Sequence, residues 1–141
     1  MNKQKTLNSI LNTTCRIQPS PIQGVGVFAI RDIEKDENPF IDEEETKWVK
    51  ISKKEFSNSS EEVKKLIKAF FVEEGNSIWV NKGGFYTMGL SFYTNHSKNP
   101  NLISIDTKNG TTFRTKRKIL KGEELLSNYT EFDEEKHAYI D

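Results

Sequence analysis

The sequence predicts a mainly β fold with helical additions (β+α), built as one domain. Three observations predict it: short runs of β-branched and aromatic residues bounded by Gly, Pro or Asn, one well-capped amphipathic helix, and a hairpin around Asn109-Gly110. A length of 141 residues suits a single domain with a single core. Hydrophobic residues make up 34 % of the chain. Even with glycine counted and tyrosine left out, the apolar share stays below the usual roughly 45–50 %, so the core must lean on aromatics and isoleucines.

Residues 1–14 are rich in Asn, Thr and Lys, with Leu7, Ile10 and Leu11 as their only anchors, and are expected to form a polar tail or a loosely held first segment. A short strand from Cys15 to Ile17 is broken by Pro19-Ser20-Pro21, and Val25-Gly26-Val27-Phe28-Ala29-Ile30 resumes the β pattern. Arg31 to Asn38 is charged and turn-like, Pro39-Phe40-Ile41 suits an edge strand, and Asp42-Glu43-Glu44-Glu45 reads as a solvated acidic run. The helix is predicted from Ser59 as N-cap and Glu62 as its capping-box partner. Val63, Leu66, Ile67, Phe70 and Phe71 lie on one face, and Gly75 stops it. Ser77 to Asn81 reads as a strand and Lys82-Gly83-Gly84 as a turn. Leu102 to Thr107 and Thr111 to Ile119 alternate on either side of Lys108-Asn109-Gly110, the pattern of a hairpin.

Charge and composition exclude several classes of function. Basic and acidic residues balance at 21 each, so no global field draws the chain to a polyanion, and direct nucleic-acid binding is not expected. The local run Arg114-Thr115-Lys116-Arg117-Lys118 splits between two faces of a strand and suits a solvated edge. One cysteine, Cys15, and two histidines, His96 and His137, cannot close a four-ligand Cys/His zinc site or a disulfide within one chain, so no metal is expected. No apolar run approaches the roughly 18 residues of a membrane span, and Met1-Asn2-Lys3-Gln4-Lys5 does not open a signal peptide. The expected setting is soluble and intracellular, cytoplasmic in a bacterium.

Chemistry concentrates in two stretches. Asn95-His96-Ser97-Lys98-Asn99-Pro100-Asn101 holds three Asn, a His and a Pro, which suit neither a helix nor a regular strand, so its polar side chains either satisfy a folded-back backbone or face a ligand. One hairpin later comes Gly122-Glu123-Glu124-Leu125-Leu126-Ser127-Asn128-Tyr129. Upstream, Gly24-Val25-Gly26 is either a plain turn before a strand or a place where backbone approaches a ligand closely, because a missing Cβ permits both. Tyr129 is either a core tyrosine with a bonded hydroxyl or a catalytic one.

These three pieces, in this order and with the hairpin between the last two, resemble the SET-domain protein lysine methyltransferases, here a small member without cysteine-rich flanking domains. The likeness is good over residues 21–33 and 88–129 and poor over 40–87. It implies a fold of several short β-sheets with a C-terminal pseudoknot and one principal helix in a variable insert at about residues 42–87. One domain would span 15–141, closed by a segment at 130–141. It also implies S-adenosylmethionine as cofactor and a lysine of another protein, a basic tail being one candidate, as substrate, with the chain a monomer or homodimer.

The resemblance implies a role for each matched residue. Gly24, Val25 and Gly26 would lie along the cofactor, Asn95 would meet its amino-acid end, the backbone of His96 would sit beside adenine, and Phe132 would help close the site, with Tyr139 as a further candidate. Tyr129 would be catalytic, orienting the attacking amine at the transferring methyl group. Phe85, Tyr86, Phe92 and Tyr93 are candidate walls of an apolar channel that lowers the pKa of the lysine, which then loses its proton to water. Tyr93, Tyr86 and Ser127 are assigned to that channel. Ser127 replaces a common Phe or Tyr and would leave one side open, so that di- or trimethylation is sterically open; Lys98 and Asn128 depart from a common Cys and Asp. The alternative is a catalytically degenerate protein- or peptide-binding module of the same fold.

Overall fold

The computed structural model describes residues 2–41, 43, 46–108 and 110–129. Asn2 caps the first helix, α1 (Lys3–Leu11), by accepting from the Lys5 N–H at 2.8 Å. The segment expected as a tail is therefore helical, though it buries no residue and leaves Leu7, Ile10 and Leu11 exposed. Local capping and side-chain bonds form it, without an apolar stripe to signal it.

Strands β1 (Cys15–Pro19) and β2 (Val25–Ala29) form an antiparallel hairpin, with Cys15 opposite Ala29 and Pro19 opposite Val25. Pro19 ends an edge strand, where its missing N–H breaks no ladder. The turn between them reaches Gly24 at φ +49°, a left-handed conformation that favours glycine. Phe40 does not extend a strand; Pro39-Phe40-Ile41 is a turn, and the Phe40 ring packs edge-on to Phe113 with centroids 5.9 Å apart. Burial of one ring, with no partner strand for the backbone, sets this conformation.

The insert holds β3 (Trp48–Ser52), α2 (Glu61–Phe70), β4 (Val72–Glu74) and β5 (Ser77–Asn81), its strands ordered β3-β5-β4. The N-cap of α2 is Ser60, whose hydroxyl accepts from Val63 N, one residue later than predicted; the Ser59 hydroxyl donates to Phe56 O instead. The helix also ends earlier, at Phe70, because Val72-Glu73-Glu74 pairs with β5, and Gly75 at φ +57° serves the turn between those strands. Its apolar face buries Ile67 against Phe71, Ile78 and Val80.

Strands β6 (Asn95–His96), β7 (Leu102–Thr107), β8 (Gly110–Thr115) and β9 (Glu124–Ser127) are the remaining strands among the described residues. The predicted hairpin forms between β7 and β8, with Thr107 opposite Gly110, although the second strand ends at Thr115; Asn109 lies outside the described residues. In the first sheet the order is β1-β2-β9-β6, with β9 antiparallel to β2 and parallel to β6. A strand from the end of the sequence thus sits between elements from its start and middle. The main core gathers there: Val27, Ile33, Leu102, Ile119 and Leu125 are fully enclosed, with Cys15, Ala29, Phe40 and Phe113 around them. The basic run beyond β8 forms surface ion pairs, Arg117 with Glu123 at 2.9 Å and Lys118 with Glu34 at 3.6 Å. No helix among the described residues is long and apolar enough to cross a membrane.

Candidate active site

Asn101 is the pin that holds the two motif segments together. Its amide nitrogen donates to Glu124 O at 2.8 Å and its Oδ1 accepts from Leu126 N at 2.8 Å, so one side chain, 2 % exposed, completes the backbone ladder of β9. Ser97 N donates to Ser127 O at 2.9 Å, continuing the β6–β9 pairing. The polar loop is therefore partly a device for satisfying backbone in a strand that has no regular neighbour there.

On one side of this strand pair lies a polar lock. The Asn95 amide nitrogen is directed at Gln23 O (3.3 Å), Val25 O (3.1 Å) and Glu124 Oε2 (2.8 Å), while Ser20 Oγ donates to the Glu124 carboxylate at 2.8 and 2.9 Å. Gly26 runs so close over this cluster that a Cβ there would collide with the Glu124 carboxylate and the Asn95 amide. The glycine loop, Asn95 and Glu124 are thus brought together. Asn95 Oδ1 takes no partner among the described residues.

On the other side stands Tyr129. Its hydroxyl donates to Thr94 O at 2.7 Å, and its N–H donates to His96 Nδ1 at 3.1 Å, with the two rings 5.2 Å apart. Because Nδ1 accepts, the neutral imidazole carries its proton on Nε2. That atom is buried without a hydrogen-bond partner among the described residues. Burial first, then the charge of Lys98, lowers the pKa of His96 and keeps the ring neutral.

A cavity of about 420 Å³ opens beside Tyr129, walled by Trp48, Phe70, Phe92, Thr94 and Phe113, with Glu73, Glu74 and Asp106 among its polar groups. The insert builds much of it. Trp48 on β3 is tied to β8 by its indole N–H, which donates to Thr111 Oγ1 at 3.0 Å, and Thr46 bridges Thr111 in both directions at 3.0 and 2.9 Å. Glu74 is held anionic, its pKa lowered by the Trp79 indole that donates to it at 2.6 Å and by Lys50.

The residues expected on the channel wall divide. Phe92 lines the cavity. Tyr93 packs edge-on to Phe70, one of the cavity walls, with centroids 5.6 Å apart, and against the main core. Tyr86 is fully exposed, and Phe85 stacks on Phe71 at 4.9 Å. Ser127 is 2 % exposed, and its hydroxyl lies 3.1 Å from Thr94 Oγ1. Phe132, Tyr139 and the closing segment at 130–141 lie outside the described residues. Thr94, Trp48 and Glu124 join the site without having been singled out; only Glu124 carried a signal, its place in the Gly-Glu-Glu-Leu motif. No group of three or more His, Cys, Asp and Glu among the described residues could hold a metal.

Comparisons with known proteins bear on this geometry. The family model described as the SET domain matches residues 24–130. A histone-lysine N-methyltransferase of Drosophila melanogaster, trr, is 34 % identical over 125 residues, 85 % of this chain, and the chain spans 5 % of that relative's length. Among solved structures, Chaetomium thermophilum Polycomb Repressive Complex 2, in an autoinhibited conformation bound to S-adenosylmethionine, superposes with a TM-score of 0.61. It is 23 % identical and covers 90 % of this chain and 16 % of that one. A candidate histone methyltransferase of Plasmodium falciparum gives a TM-score of 0.54 at 22 % identity, over 83 % of this chain and 93 % of that one. These structural likenesses speak for the fold, and the family match spans most of the sequence: the chain belongs to the SET-domain family.

Proposed function

We propose that the protein transfers a methyl group from S-adenosylmethionine to a lysine of another protein, with a basic, histone-like tail as the substrate class. The observation that carries this reading is the place of Tyr129, between the Asn95–His96 strand and the aromatic cavity. Its phenolic proton is committed to Thr94 O at 2.7 Å. The oxygen therefore meets reacting groups through its lone pairs, as an acceptor for an amine N–H and for a polarised methyl group.

The residues present fit the cofactor. A zwitterionic amino acid needs acceptors for its ammonium, and Asn95 Oδ1, without a partner among the described residues, is one beside a glycine loop that can approach a ligand closely. When bound there, S-adenosylmethionine supplies an electrophilic methyl group. Gly24, Val25 and Gly26 with Asn95 would bind it, and the backbone of His96 would lie along it. The aromatic walls formed by Trp48, Phe70 and Phe92 exclude water from the lysine. Desolvation lowers the pKa of its ammonium, so the proton leaves to water and no side chain serves as general base. Glu73, Glu74 and Asp106 attract a basic segment to the cavity.

The reading is tested by incubating the protein with S-adenosylmethionine and core histones and mapping methyl-lysine by mass spectrometry. Methylated lysine that requires Tyr129 supports it. Absence of cofactor binding by calorimetry refutes it and favours a peptide-binding module of the same fold.

A further inference from the structure

Glu43 comes from an acidic run, yet it is half-buried and does not face solvent with both oxygens. Its Oε2 accepts from Ser91 Oγ at 2.5 Å and its Oε1 lies 3.4 Å from Ser91 N. The carboxylate occupies the space directly over Gly89, where a Cβ would collide with it. Gly89 has φ −88°, a conformation open to any residue, so the glycine is there for space and not for backbone freedom.

From Ser91 a chain of contacts leads to Tyr129. Ser91 O accepts from Thr94 Oγ1 at 3.1 Å, and Thr94 O accepts from the Tyr129 hydroxyl at 2.7 Å. Ser91 and Thr94 are 6 % and 4 % exposed and span a single 3-10 turn, Leu90–Tyr93, and its exit. A short turn has few bonds of its own, so an external anchor decides where its carbonyls point.

We propose that Glu43 is a positioning residue for Tyr129: by clamping Ser91 over Gly89 it fixes the turn that presents Thr94 O to the phenol. This rests on the methyltransferase reading for its catalytic consequence, whereas the physical coupling of Glu43 to Tyr129 does not. The coupling runs through Thr94, whose Oγ1 also lies 3.1 Å from Ser127 Oγ and whose carbonyl receives the phenol. Loss of the clamp lets the carbonyl swing and leaves the phenol oxygen misaligned.

The test compares E43Q, E43A and G89A. Carbon-13 labelling of tyrosine ζ carbons gives one signal for Tyr129, identified by its loss in Y129F. The expected result is that all three variants move the Tyr129 signal and leave that of the exposed Tyr86 in place. G89A acts by expelling the carboxylate, so the double variant E43A/G89A shifts no further than either single one. With core histones as acceptor, turnover falls about 10- to 100-fold. A Tyr129 signal unmoved in E43Q and G89A overturns the proposal, and so does additivity in the double variant. If the unaltered protein methylates nothing, the methyltransferase reading fails, and the tyrosine signals alone decide the coupling.

Discussion

The Tyr129 hydroxyl donates to the carbonyl oxygen of Thr94 at 2.7 Å, joining two residues 35 positions apart across the β6–β9 pair. It spends the only phenolic proton on the backbone, so towards any further group the oxygen acts as an acceptor. Tyr129→Phe removes that oxygen while keeping the ring that lies against His96. Turnover is expected to fall by about 10²-fold or more with cofactor affinity little changed, as read by methyl transfer and calorimetry.

Asn101 serves a different purpose, stability. Asn101→Ala deletes two hydrogen bonds to the backbone of β9 at a nearly solvent-free position and leaves Glu124 O and Leu126 N without that partner. Urea unfolding should show a loss of about 3 kcal/mol. A loss under about 1 kcal/mol would mean that water or a shifted strand replaces the side chain.

The close passage of Gly26 over Glu124 gives a third expectation. Gly26→Ala forces the carboxylate and the Asn95 amide to move, so affinity for S-adenosylmethionine should drop at least about tenfold. Adding Glu124→Ala removes the colliding group. Calorimetry should then show a double variant less impaired than the sum of the two single ones.

His96 gives a pH dependence with a fixed sign. Its pKa is lowered in the fold, so the unfolded chain binds the proton more readily. Its contribution to stability is complete above about pH 6.5 and is lost as pH falls through the lowered folded value. Denaturation midpoints measured from pH 7.5 down to 5 should fall more steeply in the unaltered protein than in His96→Asn, which cannot titrate.

The three motif segments stood out because each is local and chemically unusual: the Gly24-Val25-Gly26 run, the Asn-rich loop from Asn95 to Asn101, and the run that reaches Tyr129 two residues beyond β9. The cavity was not. Its walls come from Trp48, Phe70 and Val72, whose strand and helix boundaries depend on pairing with β5 that no local period announces. Tyr86 and Phe92 sit six residues apart in one aromatic-rich stretch, and only the 3-10 turns decide that one is exposed and the other lines the cavity. Glu43 was hidden for a similar reason, since a run of four carboxylates gives no sign of which one turns inward.

The most direct test of the central claim is mass spectrometry of core histones incubated with S-adenosylmethionine and either the unaltered protein or Tyr129→Phe. Methyl groups on lysine side chains with the first and almost none with the second is the predicted result. Equal methylation by both proteins, or none by the unaltered one, would contradict the account.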